Sequence, residues 1–186
     1  SAELPLVEFT TSGRGAFTIE LAQKEAPQTV EHFLGLIDKK VYDGMLWHRL
    51  VAGFVLQTGD PDSKSMLPEE ARSKPGDRGG TQGLGEGTWG KPIKFEPNKL
   101  SHLRGTVGLA LENPGDDSGS SHFFINLADN TRLDGKYVVF GKVTKGYGLI
   151  AKLHKEIEEK AVNLSIEIPR PDKNKPDNAA KKKKKM

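Results

Sequence analysis

Eight short β-compatible runs, separated by turn-forming residues, constrain the fold of this 186-residue chain more than any other feature. The last run alternates apolar and polar residues, a period typical of strands with one buried face. The runs occupy residues 6–11, 16–21, 46–50, 55–58, 105–111, 122–127, 138–143 and 162–168. Turn residues at positions 12–15 predict a hairpin between the first two runs. The pattern indicates a mostly β protein.

Two further segments have helical periodicity. The first begins at Ala26-Pro27, because proline is tolerated at the first position of a helix. Its apolar residues follow at i, i+3, i+4 and i+7 and should face the core: Val30, Phe33, Leu34 and Ile37. The second segment covers residues 147–158. Many short strands with two isolated helices predict a mostly antiparallel barrel capped by helices.

Composition narrows the class of protein. The length fits one domain, and 35% hydrophobic with 28% charged residues is typical of a soluble globular protein. The sequence contains no apolar window of membrane-spanning length, no signal-peptide pattern at its start and no cysteine. The glycine-rich stretch 79–90 lacks the ending of a phosphate-binding loop, and the histidines lack metal-ligand spacing. We therefore expect neither a metal nor a cofactor. The cytoplasm is slightly favoured, with export or organellar import after leader cleavage left open.

Two stretches carry the polar residues that could form a cleft. Residues 47–60 contain Arg49, Phe54 and Gln57 on strand-like segments. Residues 120–126 read S-S-H-F-F-I-N and add an imidazole and a phenyl ring. If they face one cleft, these side chains provide a cation, an apolar wall and an amide. Such a cleft could bind a peptide and polarise its backbone amide. Neither stretch contains an evident nucleophile–base pair.

These residues resemble motifs of the cyclophilins. His48-Arg49 to Asp60 is similar to F-H-R-x-x-x-x-F-x-x-Q-x-G-D, residues 121–125 to S-Q-F-F-I, and residues 133–143 to L-D-G-K-H-V-V-F-G-K-V. The resemblance covers about residues 5–168. It implies an eight-stranded antiparallel barrel with a helix at each end. It also implies a cofactor-free peptidyl-prolyl cis–trans isomerase that assists folding by acting on proline-containing peptides and protein clients. We expect a monomer.

The resemblance assigns roles within the cleft. Arg49 would be catalytic, because a guanidinium bonded to the prolyl nitrogen stabilises the twisted amide more than either planar isomer. The proline pocket would be lined by Phe54, Val55, Phe124 and Leu133, and Gln57 would bind the substrate backbone. The other substrate-binding positions are Ala110, Leu111, His122 and Tyr137. His48 precedes Arg49 on a strand and should point to the opposite face, as a structural residue rather than a ligand.

Besides Val55, which stands where many relatives carry Met, four positions depart from the family pattern. His122 stands where relatives usually have glutamine, and peptide binding could become pH-sensitive because histidine titrates near neutral pH. Arg132 replaces a tryptophan, which implies weak cyclosporin affinity. Tyr137 replaces a frequent pocket histidine, and Leu111 replaces an asparagine whose backbone contacts substrate. These departures leave an alternative open: a chaperone or assembly factor that binds proline segments with little turnover.

The long linking segment and the tail stand apart from the predicted barrel. Residues 60–101 are rich in Gly, Pro and Asp without periodicity, which predicts a functional loop or an insertion. We predict an isomerase domain over residues 1–168 and a basic, disordered tail over 169–186, which has almost nothing apolar to bury.

Charge separates the same two parts of the chain. Residues 169–186 contain eight Lys or Arg and two Asp, which gives them a net charge of +6. The whole chain has a net charge of +3, so residues 1–168 have a net charge of −3. The predicted domain is therefore not a basic nucleic-acid-binding domain. The five lysines from Lys181 to Lys185 leave open a solvated tail or weak polyanion contact. Removing the tail should abolish such contact and leave isomerase activity and melting temperature nearly unchanged.

Overall fold

The structure, a computed structural model, describes residues 3–11, 13–65, 87–160, 166–167 and 180–183. Ten strands and two α-helices lie in this part of the chain. The strands are β1 Leu6–Thr11, β2 Gly15–Leu21, β3 Leu46–Trp47, β4 Arg49–Val51, β5 Val55–Thr58, β6 Thr106–Leu109, β7 Phe123–Asn126, β8 Val139–Lys145, β9 Ile166–Glu167 and β10 Ala180–Lys183. The helices are α1 Pro27–Asp38 and α2 Tyr147–Lys160.

The main sheet contains eight antiparallel strands in the order β10-β1-β2-β8-β6-β7-β5-β4, and β3 pairs separately with β9. The mostly β architecture with two helices is confirmed, with the sheet curled into a half-barrel. The hairpin predicted at the start of the chain is β1–β2. Of the last predicted strand, only residues 166 and 167 lie within the described part.

An aromatic cluster fills the space between the sheet and α1. The ring centroid of Phe33 on α1 lies 5.2 Å from the ring centroid of Phe123 and 5.0 Å from that of Phe140. Phe9 on β1 lies 5.5 Å from Phe123 on the other side. All four rings are at most 1% exposed. Burying each one stabilises the fold by about 2 kcal/mol. The predicted apolar face of α1 is confirmed, with Leu34 half-buried at its margin.

The second part of the long loop is bonded to the domain. Glu96 accepts hydrogen bonds from the backbone N–H groups of Gln28 and Thr29, both at 2.9 Å, in the first turn of α1. A carboxylate is favourable there because it satisfies helix N–H groups and faces the positive end of the helix dipole. Ile93 forms a β-bridge with Gly119. Residues 66–86 of the loop lie outside the described part.

Four residues of the basic tail form a strand. Where the sequence predicts disorder, β10 pairs with β1, with Lys181 opposite Glu8 and Lys183 opposite Leu6. The rest of residues 168–186 lies outside the described part. Deletion of residues 169–186 would remove the hydrogen bonds between β10 and β1. It should therefore lower the melting temperature, whereas the sequence predicted almost no change. In the described residues, no helix is long and apolar enough to cross a membrane.

Candidate active site

Three residues of the predicted cleft and one glycine form a row across four neighbouring strands. Arg49 on β4 pairs with Gln57 on β5, and Gln57 pairs with Phe124 on β7. Phe124 in turn pairs with Gly108 on β6. Directly paired residues in antiparallel strands point to the same face of the sheet. The register therefore places a guanidinium, an amide and a phenyl ring side by side.

A cavity of about 260 Å³ opens on this face. Its lining consists of His48, Arg49, Phe54, Val55, Gln57, Ala110, Leu111, Phe124, Leu133 and Tyr137. We call it the proline cavity. It contains every substrate-binding residue that the sequence predicted except His122. His122 lines a neighbouring cavity of about 520 Å³, which shares Gln57, Ala110 and Leu111 with the first.

Arg49 is half-buried at the edge of the proline cavity. Its guanidinium carbon lies 5.6 Å from the centre of the Phe54 ring, a cation–π distance. Burial lowers the pKa of Arg49, yet an arginine side chain stays charged in proteins. The ion pairs found among the described residues, Arg14–Glu156 and Lys142–Glu20, do not include it. The guanidinium can therefore turn its donors towards a ligand.

Phe124 forms the base of the proline cavity and is only 4% exposed. Its ring crosses directly over Gly108, where a Cβ atom would overlap the ring carbons. His102 stacks on the ring with centroids 5.7 Å apart and an interplanar angle of 18°. Tyr137 meets the ring edge-on at 6.1 Å. Only glycine at position 108 leaves room for the phenyl ring in this orientation.

A buried hydrogen-bond network joins the walls of the proline cavity from behind. His102, which is fully buried, donates from Nε2 to the carbonyl of Tyr137 at 2.9 Å. Its Nδ1 accepts from the amide of Asn126 at 3.1 Å. Asn130 donates to Asn126 Oδ1 at 2.9 Å and to the carbonyl of Phe54 at 3.0 Å. The network holds the backbone of two lining residues in place.

This supporting layer was not predicted from the sequence. Asn126 lies two positions after Phe124 on β7, so strand alternation puts both on one face, and this was the available signal. His102 and Asn130 come from loops, where no periodicity indicates a contact partner. Among the described residues, no group of three His, Asp or Glu side chains could hold a metal ion.

The prediction that His48 points away from the cleft was wrong, because His48 lines the proline cavity. Residue 48 lies between β3 and β4 rather than within a strand, so strand alternation does not apply to it. Its side chain is only 3% exposed. Burial, with a contribution from the neighbouring His122 ring, lowers the pKa of His48 to about 4.

This depressed pKa predicts acid destabilisation. Unfolded His48 binds a proton below about pH 6.5, whereas folded His48 does so only near pH 4. Stability should therefore fall by roughly 3 kcal/mol as the pH decreases through this interval. Urea unfolding at pH 7.5 and 4.5 measures the loss, which should be clearly smaller in His48→Gln. The half-buried His32 provides the control, and an equal loss in His48→Gln and His32→Gln would contradict the assignment.

The sequence model of the family described as "Cyclophilin type peptidyl-prolyl cis-trans isomerase/CLD" matches residues 6–173. The chain belongs to this family. It is 36% identical over 149 residues to peptidyl-prolyl cis-trans isomerase CYP18-2 of Arabidopsis thaliana, covering 80% of each chain. It is 37% identical to a peptidyl-prolyl cis-trans isomerase of Helicobacter pylori, covering 79% of each chain.

Solved structures agree with this cyclophilin's fold. A crystal structure of a Cryptosporidium parvum cyclophilin-type isomerase has a TM-score of 0.65 and 25% identity, covering 81% of this chain and 84% of that one. A structure of the same isomerase in the presence of the dipeptide Ala-Pro has a TM-score of 0.69 and 24% identity, covering 89% and 96%. By its family and its relatives, this cyclophilin is a peptidyl-prolyl cis–trans isomerase.

Proposed function

We propose that isomerisation takes place in the proline cavity, with the prolyl ring against Phe124 and the guanidinium of Arg49 beside the prolyl nitrogen. The observation that carries this proposal is the single row of Arg49, Gln57 and Phe124 across β4, β5 and β7. The row places a charged donor and an apolar ring on the same face of the sheet, on either side of the Gln57 amide.

Arg49 supplies the transition-state interaction. Resonance holds the prolyl amide planar with a barrier of about 18–20 kcal/mol. As the bond twists, its nitrogen gains a lone pair that a guanidinium N–H can bond, whereas the planar amide nitrogen offers none. The interaction is therefore stronger in the twisted state, which is the condition for acceleration. Because Arg49 is half-buried, fewer water molecules compete with this hydrogen bond.

The other lining residues fix the substrate around the rotating bond. The side chains of Phe54, Val55, Phe124 and Leu133 surround the pyrrolidine ring, which is apolar. Gln57 stands at the junction of the two cavities and bonds the peptide backbone. The larger cavity then receives residues before the proline. Uncatalysed isomerisation takes tens to hundreds of seconds, so exposed X-Pro bonds in folding chains are the substrates.

Substrate binding is tested by truncating Phe124. We expect Phe124→Ala to weaken binding of a short Ala-Pro peptide at least about tenfold, because the prolyl ring loses most of its apolar contact. Exchange NMR of the peptide reports affinity and turnover together. Leu103→Ala is the control, since Leu103 is 47% exposed and outside the proline cavity. Peptide affinity without any rate enhancement in the wild type would favour the chaperone alternative instead.

The packing of Phe124 over Gly108 gives a second prediction. Gly108→Ala should displace the ring and lower kcat/KM about tenfold, since an added Cβ overlaps the ring carbons. Gly35→Ala is the matched control, because a Cβ on Gly35 of α1 meets no atom within 4 Å. A protease-coupled assay with an X-Pro peptide measures both variants. Equal kcat/KM values for the two would show that the ring adjusts without loss.

We propose further that the protein acts as a monomer and that its lysine tail contacts polyanions weakly. The support for the polyanion contact is the charge distribution, with +6 after residue 168 and −3 before it. Binding of heparin as a model polyanion should fall steeply between 50 and 200 mM salt, because each contact releases condensed counterions. Deletion of residues 169–186 should abolish it. Sedimentation velocity tests the oligomeric state.

A further inference from the structure

His122, which lines the larger cavity, forms two hydrogen bonds within the protein, one of them to Gln57, which lines both cavities. Its Nε2 lies 2.5 Å from the carbonyl oxygen of Gly87. Its Nδ1 lies 3.4 Å from the amide nitrogen of Gln57. The side chain is 6% exposed. Both ring nitrogens are therefore engaged within the protein, and neither points freely at a substrate.

These partners fix the tautomer of the ring. A carbonyl oxygen only accepts, so Nε2 must carry the proton that bonds Gly87. Nδ1 then bears the lone pair and accepts from the NH₂ group of Gln57. With its NH₂ group held by His122, Gln57 is left with its oxygen, Oε1, for the proline cavity. The amide is thus oriented by the protonation state of the imidazole.

We propose that His122 is a positioning residue that decides which end of the Gln57 amide faces the bound peptide. While the imidazole is neutral, Gln57 presents Oε1, an acceptor for a peptide N–H. Once the imidazole is protonated, Nδ1 becomes a donor and attracts Oε1, so the amide turns and presents NH₂ instead. This inference rests on the proposed use of the proline cavity and concerns the substrate contact made by Gln57.

Several charged or titratable groups surround His122. The ring of His48 meets it edge-on at 5.2 Å, and His48 stays neutral down to about pH 4 because its own pKa is depressed. The carboxylates of Asp60 and Asp62 lie against Gly87, close to the Nε2 side.

Two more charges bear on the ring from other elements. Glu112 lines the same cavity as His122. Arg49 faces Gln57 across β4 and β5. Because the pKa of His48 is about 4, protonation of His48 does not account for a change in KM between pH 8 and pH 5.5.

The test is the pH dependence of KM and kcat for a short X-Pro peptide. We expect the wild-type KM to rise about fivefold from pH 8 to pH 5.5, with kcat nearly constant, because a substrate hydrogen bond is lost while Arg49 is untouched. His122→Gln should show a flat KM, since glutamine does not titrate. His32→Gln is the matched control: His32 Nε2 also bonds a backbone carbonyl, that of Ser120 at 3.0 Å, and should keep the wild-type profile.

A spectroscopic readout is independent of turnover. Imidazole ¹⁵N spectra of the wild type should show the Nε2–H tautomer of His122 at pH 8, and the Gln57 NH₂ resonances should shift along the same pH curve as KM. An Nδ1–H tautomer, or a His122→Gln profile identical to the wild type, would overturn the inference. If His122→Gln does not fold, the wild-type spectra decide. Absence of isomerase activity at every pH would instead refute the proposed function.

Discussion

Arg49→Ala should lower kcat/KM for an X-Pro peptide by about 100- to 1,000-fold, the usual effect of removing one preorganised transition-state donor. The expected loss falls mainly on kcat, because the guanidinium bonds a nitrogen lone pair that is absent from the planar substrate. Peptide affinity should change little, since the apolar lining of the proline cavity is intact. Exchange NMR separates the two quantities.

Arg132 offers an internal control for this prediction. Its guanidinium carbon lies 4.8 Å from the centre of the Phe54 ring, the same ring that Arg49 contacts, but Arg132 is exposed and outside the cavity lining. Arg132→Ala should change kcat/KM less than about threefold. Arg49→Lys keeps the charge and loses the planar fork, so it should recover little activity. Equal effects of Arg49→Ala and Arg132→Ala would contradict the catalytic assignment.

Gly59→Ala should destabilise the fold by at least about 3 kcal/mol, because it combines backbone strain with a backbone clash. Gly59 has a φ of +116°, and a Cβ there would lie 2.5 Å from the Cα atom of His122 and overlap the carbonyl of Ser121. Main-chain atoms cannot move aside as a flexible side chain does. The melting temperature should fall by about 10 °C, and the segment carrying His122 and Phe124 should be displaced from the cleft.

Gly53 separates the two causes of this loss. Its φ is +70°, but a Cβ there meets no atom within 4 Å. Gly53→Ala therefore adds only the strain of a left-handed backbone and should cost about 1 kcal/mol. Urea unfolding of both variants measures the difference. If Gly53→Ala and Gly59→Ala lose the same free energy of unfolding, the close approach of Gly59 to residues 121–122 does not contribute to the loss.

The sequence predicted the cleft because its motifs are local. Arg49, Phe54 and Gln57 occur within nine residues, and their spacing already indicated the family. The family, the fold class and the isomerase activity are confirmed. The roles of the individual cleft residues stay predictions, although the structure brings all but His122 to one cavity. His48 was misplaced because alternation was applied across a break between two short strands.

The contacts that support the cleft could not be predicted from the sequence. Gly108 is one of 21 glycines, and only the packing of Phe124 distinguishes it as a position where a side chain has no room. His102 shows no spacing that indicates a partner, yet it is fully buried against Phe124 and Asn126. The hydrogen bonds that restrict His122 to a positioning role come from Gly87 and Gln57, on two different segments.

What the sequence determined by itself is the set of elements and the residue types of the cleft, because strand alternation, helix periodicity and the first motif depend on neighbours a few positions apart. What only the tertiary structure decided is which residues meet. Arg49 and Gln57 are joined by a short hairpin, but Phe124 reaches them through β5–β7 pairing across 67 positions of the chain. Register over such a distance is set by burial of one face of the whole sheet, which no local pattern contains.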